Sequence, residues 1–264
     1  PFEQVTASAT VITAKDIEDQ HAVTVLEALR TVPGLDVVQT GSRGTNTSVF
    51  IRGADADQVL VLIDGVEVNS TSLGAFNFAH LTTENIARIE ILRGAGGTLY
   101  GSQAIGGVIN IITKRGRGPM EFGLSAEGGN GWTHRQTLNV SGEVGKLGYS
   151  LSGARIESDG FRAFNDDYRN LAASGRLDYK VTEDALLKGI FRFNKTAIGL
   201  FNSNNFVPGG RDPNSREAVT QYLGKVEWEQ RILQNWDYRI AGSIFKEHIK
   251  DSDDPDPLGD CQFF

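Results

Sequence analysis

Residues 171–181 read LAASGRLDYKV, with Leu171, Ala173, Gly175, Leu177, Tyr179 and Val181 on every second position. Side chains of a β-strand point alternately to two faces, so this period of two predicts a strand with one apolar face. The same period runs outward in both directions. Upstream lie Phe122, Leu124 and Ala126, then Leu138 and Val140, then Leu147, Tyr149 and Leu151. Downstream lie Leu187, Gly189, Phe191 and Phe193, then Tyr222, Gly224, Val226 and Trp228, then Trp236, Tyr238, Ile240, Gly242 and Ile244. The series predicts about seven strands, most near the ~10 residues that a tilted membrane strand needs.

The connections differ by side. Short turns are predicted at 144–146, 182–184 and 231–235, against a tight GGNGW at 128–132, long polar stretches at 158–170 and 195–218, and an Asp-rich run from Asp251. Short connections at one end and mostly long ones at the other are the stringing of an outer-membrane β-barrel. Tyr179, Phe193, Trp228 and Trp236 fall near the predicted strand ends, where an interfacial aromatic girdle belongs. A soluble antiparallel sheet with one solvated face gives the same alternation, and that alternative stays open at this point.

Residues 1–117 follow another pattern, that of a compact α/β unit. Thr13 with Asp16 and Thr24 with Glu27 have capping-box spacing at helix starts. The second is expected to open a helix with Leu26, Leu29 and Val32 on one face, stopped by Pro33-Gly34. Four short apolar runs, 49–51, 59–63, 89–92 and 108–112, have the length of buried strands. Asp64-Gly65 closes the second as a turn. The stretch LYGSQAIGGVINIIT (99–113) carries no acid, base or thiol. Its Gly101, Gly106 and Gly107 are expected to admit close backbone approach, and its Val and Ile residues to pack as a strand.

Composition excludes several functions. The net charge of −7 has no clustered basic face, which excludes a nucleic-acid surface. Cys261 is the only cysteine, so no internal disulfide and no CxxC pair exists. The longest apolar run, Val59 to Ile63, falls far short of the ~18 residues of a membrane helix. The four histidines are scattered, and HExxH and GxSxG are absent. GGTLYGS (96–102) has the outer glycine spacing of a phosphate loop but puts Ser102 where the lysine must stand, so it reads as a glycine-rich turn. No enzyme is expected. The start at Pro1, without Met, suggests a processed N-terminus or a piece of a longer chain.

Three blocks in order, VFIRGADADQVLVLIDGVEVN (49–69), IARIEILRG (86–94) and the 99–113 stretch, resemble the plug domain of TonB-dependent outer-membrane transporters, and in particular their vitamin B12 (cobalamin) branch. The resemblance covers about 1–114 for the plug, and the alternating region is similar to the opening strands of the barrel. It implies an α/β plug domain (1–117) followed by antiparallel transmembrane β-barrel strands (118–264), part of a barrel of about 22 strands. It also implies a gated outer-membrane receptor of a Gram-negative bacterium. Such a receptor takes up cobalamin or a ferric siderophore, is energised through TonB and its inner-membrane complex, and sits in outer-membrane lipid. The alternative is a soluble secreted adhesion or carbohydrate-binding protein.

The resemblance further places residues. Arg52 and Arg93, with Glu90 nearby, are expected to latch the plug to acidic groups of the barrel wall. Ser42, Arg43, Thr45 and Asn46 in one polar loop, and Thr71, Ser72, Leu73, Phe76 and Asn77 in another, are expected to meet the ligand, Phe76 and Phe78 adding apolar area. Asp159, Asp166 and Asp167 are the candidate ligands of Ca²⁺ in the outer loops, with Asp251, Asp253, Asp254 and Asp256 further on; no cofactor is otherwise expected. Two departures stand out. No energy-coupling segment is recognised ahead of the plug, and seven strands leave unpaired edges that lipid does not tolerate, so a fragment is expected.

Overall fold

The computed structural model describes residues 8–70, 73–94, 100–101, 103–162, 165–200, 202–203, 211–212, 215–233 and 236–253. The first part of the chain forms β1 (Ser8–Thr13), α1 (Ala14–Asp19), α2 (Val25–Leu29), β2 (Leu35–Gln39), β3 (Thr47–Ile51), β4 (Val59–Ile63), β5 (Val66–Glu67), β6 (Ile86–Arg93) and β7 (Gly107–Thr113). Five of these strands make one mixed sheet in the order β1-β6-β7-β4-β5, and β2-β3 pair separately as a hairpin.

Local chemistry explains the elements. Thr13 caps α1 through a complete capping box with Asp16, and the two hydrogen bonds from Thr13 hold the Asp16 carboxyl below its ordinary pKa. Thr24 caps α2, but the Glu27 carboxylate reaches back to the Val23 N–H at 2.7 Å. The second helix is shorter than expected. It ends at Leu29, where the Thr31 hydroxyl donates to the Ala28 carbonyl at 2.9 Å, and Val32 enters the core from the turn beyond.

All five residues of β4 are buried, because both faces are covered. Val59, Val61 and Ile63 join the main core with Val25, Leu29, Ile89 and Ile111, while Leu60 and Leu62 pack with Leu92, Ala104 and Val108 on the opposite face. Close approach holds at two of the three glycines expected to need it. A Cβ on Gly107 would overlap the Leu92 carbonyl oxygen, and one on Gly106 would stand 3.2 Å from the Gln58 carbonyl oxygen. Gly101 has nothing within 4 Å; its φ of +89° marks a left-handed turn instead.

The rest of the chain forms the seven-stranded antiparallel sheet that the alternation predicts. Its strands are β8 (Glu121–Gly129), β9 (Thr133–Val144), β10 (Leu147–Ser158), β11 (Tyr168–Lys180), β12 (Ala185–Gly199), β15 (Arg216–Leu233) and β16 (Trp236–Ser252), each paired with the next. The two-residue β13 (Asn202–Ser203) and β14 (Arg211–Asp212) form a small separate pair between β12 and β15. The strands lengthen from 9 residues in β8 to 18 in β15.

The sheet is inside-out for a soluble protein. Phe122, Leu124, Leu138, Leu171, Phe191, Val226, Ile240 and Ile244 are exposed on one face. Ser150, Ser174, Arg176, Lys188, Arg192, Asn194 and Gln221 are buried on the other, against the N-terminal unit. An apolar face this extensive requires lipid, which removes the soluble alternative. Phe193, expected near a strand end, stands at mid-strand and packs on Tyr222 at 5.3 Å between ring centroids. Among the described residues no helix is long and apolar enough to cross a membrane. The last strand of the N-terminal sheet ends at Thr113 and the first wall strand begins at Glu121.

Candidate functional site

Two polar loops meet at one end of the N-terminal unit. The β2–β3 hairpin carries the tip 40–46, closed by Thr40 N–H to the Asn46 carbonyl (3.1 Å) and by the Thr45 hydroxyl and the Gln39 amide to the Ser42 carbonyl (2.8 and 2.7 Å). At this tip Gly44, with φ +89°, presses on Tyr168 and Ile198 of the wall; a Cβ there would overlap both side chains. Tyr168 begins β11 and Ile198 is the last residue but one of β12, so the tip lies at the end of the wall that carries the long connections. Arg43 and Asn46 are exposed there, and Ser42 and Thr45 half-buried.

The second loop is pinned beside the first. The buried Asn69 amide accepts from Val61 N–H at 2.8 Å and donates to the Val59 and Gly74 carbonyls at 2.9 and 2.7 Å. Asn77 Oδ1 accepts from both Thr47 N–H and Ala79 N–H at 3.0 Å, which ties this loop to the start of β3. Leu73 is 75% exposed, and Thr71 and Ser72 lie outside the described residues. The expectation for Phe76 is corrected. It is buried, edge-on to Phe78 at 4.9 Å in the main core, because an aromatic ring in a polar loop gains more from the core than from water.

Below the loops, the unit meets the wall through a polar seam. Glu84, in the turn before β6, takes Arg135 of β9 at 2.6 Å, and that guanidinium also reaches Glu127 at 2.9 Å. The Ser150 hydroxyl donates to Asn85 Oδ1 at 2.5 Å, and Arg192 donates to the Thr82 carbonyl at 3.0 Å. Asp64, with φ 50° at the β4–β5 turn, has two duties. Its carboxylate accepts from Thr113 N–H (3.2 Å) and hydroxyl (2.8 Å) inside the unit and faces Arg176 of β11 at 3.4 Å, while its carbonyl accepts from Lys225 of β15 at 2.7 Å. Both carboxylates and both guanidinium groups are buried or nearly so.

Above Arg192 an amide ladder crosses the inner wall. Asn170 donates to Asn194 (2.7 Å), Asn194 to Gln221 (3.4 Å), and Gln221 to Glu247 (2.6 Å). His80 stacks on Tyr168 with ring centroids 6.4 Å apart and 18° between the planes. Neither of its ring nitrogens has a hydrogen-bonding partner among the described residues, and burial pushes its pKa down to about 4. Towards the short-turn end the seam opens into a cleft of about 830 Å³, lined among others by Asp64, Arg115, Arg176, Lys188 and Lys225.

Neither arginine of the expected latch meets an acid of these seven wall strands. Arg93 is buried, but it donates to the Ser8 and Thr10 hydroxyls at 3.1 and 2.7 Å; burial, with Arg52 adding, lowers its pKa. Arg52 is exposed, and Glu90 pairs within its own sheet with Arg88 (2.7 Å) and Asn110 (3.3 Å). On these strands acids of the unit meet bases of the wall, at Glu84–Arg135 and Asp64–Arg176.

The expected calcium ligands are not assembled. Asp166 accepts the N–H groups of Phe161 and Arg162 at 2.9 and 3.1 Å, and Asp167 takes Arg216 in a two-pronged pair at 3.0 and 2.9 Å. Asp159 is exposed, and among the described residues no three metal-binding side chains stand together. These carboxylates shape the loop. Asp254 and Asp256 lie outside the described residues.

Sequence reasoning missed Glu84, Asn85, His80 and the wall-facing duty of Asp64. The signal lay in Arg135, Arg176, Arg192 and Lys225, which occupy the polar phase of alternating strands and call for acids opposite them.

Comparison with known proteins agrees with this architecture. Residues 1–108 match the family model of the TonB-dependent Receptor Plug Domain. The chain is 41% identical over 256 residues to the vitamin B12 transporter BtuB of Vibrio cholerae serotype O1, covering 88% of this chain and 41% of that protein. It is 50% identical over 113 residues to BtuB of Vibrio vulnificus, covering 43% of this chain and 18% of that protein. Among solved structures it is similar to the ferric yersiniabactin uptake receptor FyuA of Yersinia pestis (TM-score 0.78, 18% identity, 94% of this chain and 42% of that one). It is also similar to the alcaligin receptor FauA of Bordetella pertussis (TM-score 0.78, 21% identity, 95% and 40%). The chain thus spans less than half the length of these relatives, which are transporters and receptors and not enzymes. A unit with this fold, seated on the polar face of an inside-out sheet, identifies residues 1–108 as a TonB-dependent receptor plug domain, followed by seven antiparallel strands that match part of the barrel of such receptors.

Proposed function

We propose that the whole protein is an outer-membrane receptor and active transporter for a bulky nutrient complex, gated by the plug and energised through TonB. The observation that carries this reading is the seam. The plug's apolar core touches the wall at Ile190, Leu223 and Phe245, and around that limited contact the plug meets the wall through buried ion pairs and side-chain hydrogen bonds. Buried ion pairs roughly break even against their desolvation and so fix position more than they add cohesion. A plug held this way seats in one register, and its release uncovers only the small apolar contact with Ile190 and Leu223.

The nutrient we favour is cobalamin over a ferric siderophore. The relatives at 41–50% identity are vitamin B12 transporters, whereas the siderophore receptors resemble the chain in fold at 18–21% identity. Ser42, Arg43, Thr45 and Asn46, with Leu73 and Asn77 beside them, form the surface offered to the ligand. Their hydroxyl, amide and guanidinium groups suit a large ligand with many amide groups. Binding must favour one plug state over the other for transport to follow.

The test is an equilibrium titration of cyanocobalamin against the detergent-solubilised full-length receptor, with a ferric siderophore as competitor. Saturable cobalamin binding untouched by the iron complex, and weakened about tenfold by Arg43→Ala with Asn46→Ala, is the expected result. Binding of the iron complex alone transfers the substrate to that class.

A further inference from the structure

The segment that joins the plug to the wall is pinned, and the pinning aims two arginines. Residues 114–117, KRGR, run without a turn or bend along the inner side of the wall at its short-turn end. A Cβ on Gly116 would overlap the backbone of Tyr149 in β10 and the Gly142 carbonyl oxygen in β9, and one on Gly148 would stand 2.6 Å from the Gly116 carbonyl oxygen. The Lys114 N–H donates to the Asn85 carbonyl at 2.8 Å, and the Gly118 carbonyl accepts from the Glu143 N–H at 2.8 Å, so the segment is tied at both ends. In an extended chain the neighbours of a residue that faces the wall point the other way. Arg115 and Arg117 are exposed, and both line the cleft at this end.

Neither arginine has an acid of its own among the described residues. Asp178 and Glu229 draw on Arg115 from beyond contact distance, but Asp178 is held by Arg176 at 2.9 Å and Glu229 by Arg239 at 2.9 Å. Asp64 is taken by Arg176, Glu227 by Lys188 (2.9 Å) and Lys225 (2.7 Å), and Glu143 by Lys180 (2.6 Å). Glu121 lines the cleft without an ion pair to either arginine. Bases outnumber acids in the cleft by eight to four. Arg115 and Arg117 thus form a cationic pair about 7 Å apart along the backbone, backed by the wall and open to solvent.

Short turns face the periplasm, so the cleft opens to that side. We propose that Arg115 and Arg117 dock an extended acidic segment of a periplasmic protein, one with carboxylates at alternate positions. Side chains on one edge of an extended peptide recur at the same spacing of about 7 Å as the two arginines. Each guanidinium fork then takes one carboxylate in a two-pronged, charge-assisted pair. A cleft of about 830 Å³ admits a chain of several residues and is far larger than a single inorganic anion needs. Lys114 and Lys225 line the same cleft and add to its positive potential. A partner bound here holds the fixed joint between plug and wall rather than the plug itself. The proposal rests on the outer-membrane placement of the sheet and is independent of which nutrient is carried.

The test uses the full-length receptor in mild detergent, titrated by fluorescence anisotropy. The probes are a fluorescein-labelled short peptide alternating aspartate with serine, its asparagine analogue, and a peptide of the first composition with all its aspartates in one block. The unaltered receptor is expected to bind the alternating acidic peptide at least about tenfold more tightly than the asparagine analogue and about threefold more tightly than the block, with both preferences shrinking as salt is raised. In R115Q/R117Q both preferences are expected to vanish while cyanocobalamin or siderophore binding is retained. No preference in the unaltered receptor, an unchanged preference in the variant, or displacement of the alternating peptide by phosphate or succinate at equal charge concentration overturns the proposal. Because the unaltered protein decides the peptide comparison, a variant that fails to fold does not protect the idea. Failure of the unaltered receptor to bind either nutrient tells against the transporter reading and leaves the peptide site standing.

Discussion

The plug interior and the plug–wall seam are both buried, yet the first is almost wholly apolar and the second, apart from Ile190, Leu223 and Phe245, is largely polar. Inside the plug, Val25, Leu29, Val61, Ile89, Ile91, Ile109 and Ile111 close a core with almost no exposure. Along the seam, a comparable degree of burial is spent on Glu84, Asn85, Thr82, His80, Arg135, Arg176 and Arg192. Apolar contact is non-directional and tolerates sliding. A charge-assisted hydrogen bond has one geometry and is lost at once when its partner moves. The difference teaches how one chain can separate cohesion from placement: the core holds the plug together, and the seam fixes where it sits.

The largest effect that would break the comparison is at the seam. Removing one partner of a buried pair strands the other, so Arg176→Met is expected to cost about 3–5 kcal/mol of local protection around Asp64. Adding Asp64→Asn should return part of that loss. Hydrogen exchange of 59–70 in the full-length receptor measures both, and purely additive effects would mean that the pair is not coupled.

In the core, Ile111→Ala should cost about 2–5 kcal/mol by cavity formation, with no recovery from any polar change at the seam. Exchange at β4, β6 and β7 reads it. Slowed exchange in β7 with accelerated exchange only at the seam would reverse the roles given to the two regions.

A pH experiment sharpens the contrast further. His80 is held near a pKa of about 4 by burial, against 6.5 when exposed. A depressed histidine favours the folded plug while neutral, so the stabilisation is complete above pH 6.5 and is lost as pH falls towards 4. The loss is of the order of 3 kcal/mol at most. Plug exchange rates should rise over that window and His80→Gln should flatten the change. An equally steep profile in the variant would assign the effect to other groups.

Much of this was legible in the sequence because strands advertise themselves. The alternation from Phe122 to Ile244 marks the wall, its lipid face and its turns, since period two is a backbone property that needs no knowledge of partners. Val59 to Ile63 announces a doubly covered strand for the same reason. The edge strand at Ser8–Thr13 and the hairpin arm Leu35–Gln39 were not legible, because their burial is mixed and partial. The seam was hidden more deeply. Whether Glu84 meets Arg135 or Asp64 meets Arg176 depends on how the chain returns over a sequence separation of 51 or 112, which local pattern does not encode. Phe76 was misread for a related reason: a polar neighbourhood in sequence was taken for a polar neighbourhood in space.

The edge strand β1 has a consequence for how a pull would be felt. It contacts the sheet along β6 alone, through six register pairs from Ser8↔Arg93 to Thr13↔Arg88. Both hydroxyls that satisfy Arg93 belong to it. Peeling away this one ribbon therefore does more than shorten the sheet, for it uncovers a guanidinium that the closed plug keeps 8% exposed. Tension at the margin is thereby turned into a sudden change of charge near the centre, as a drawn pin arms a mechanism that the pin itself never touches.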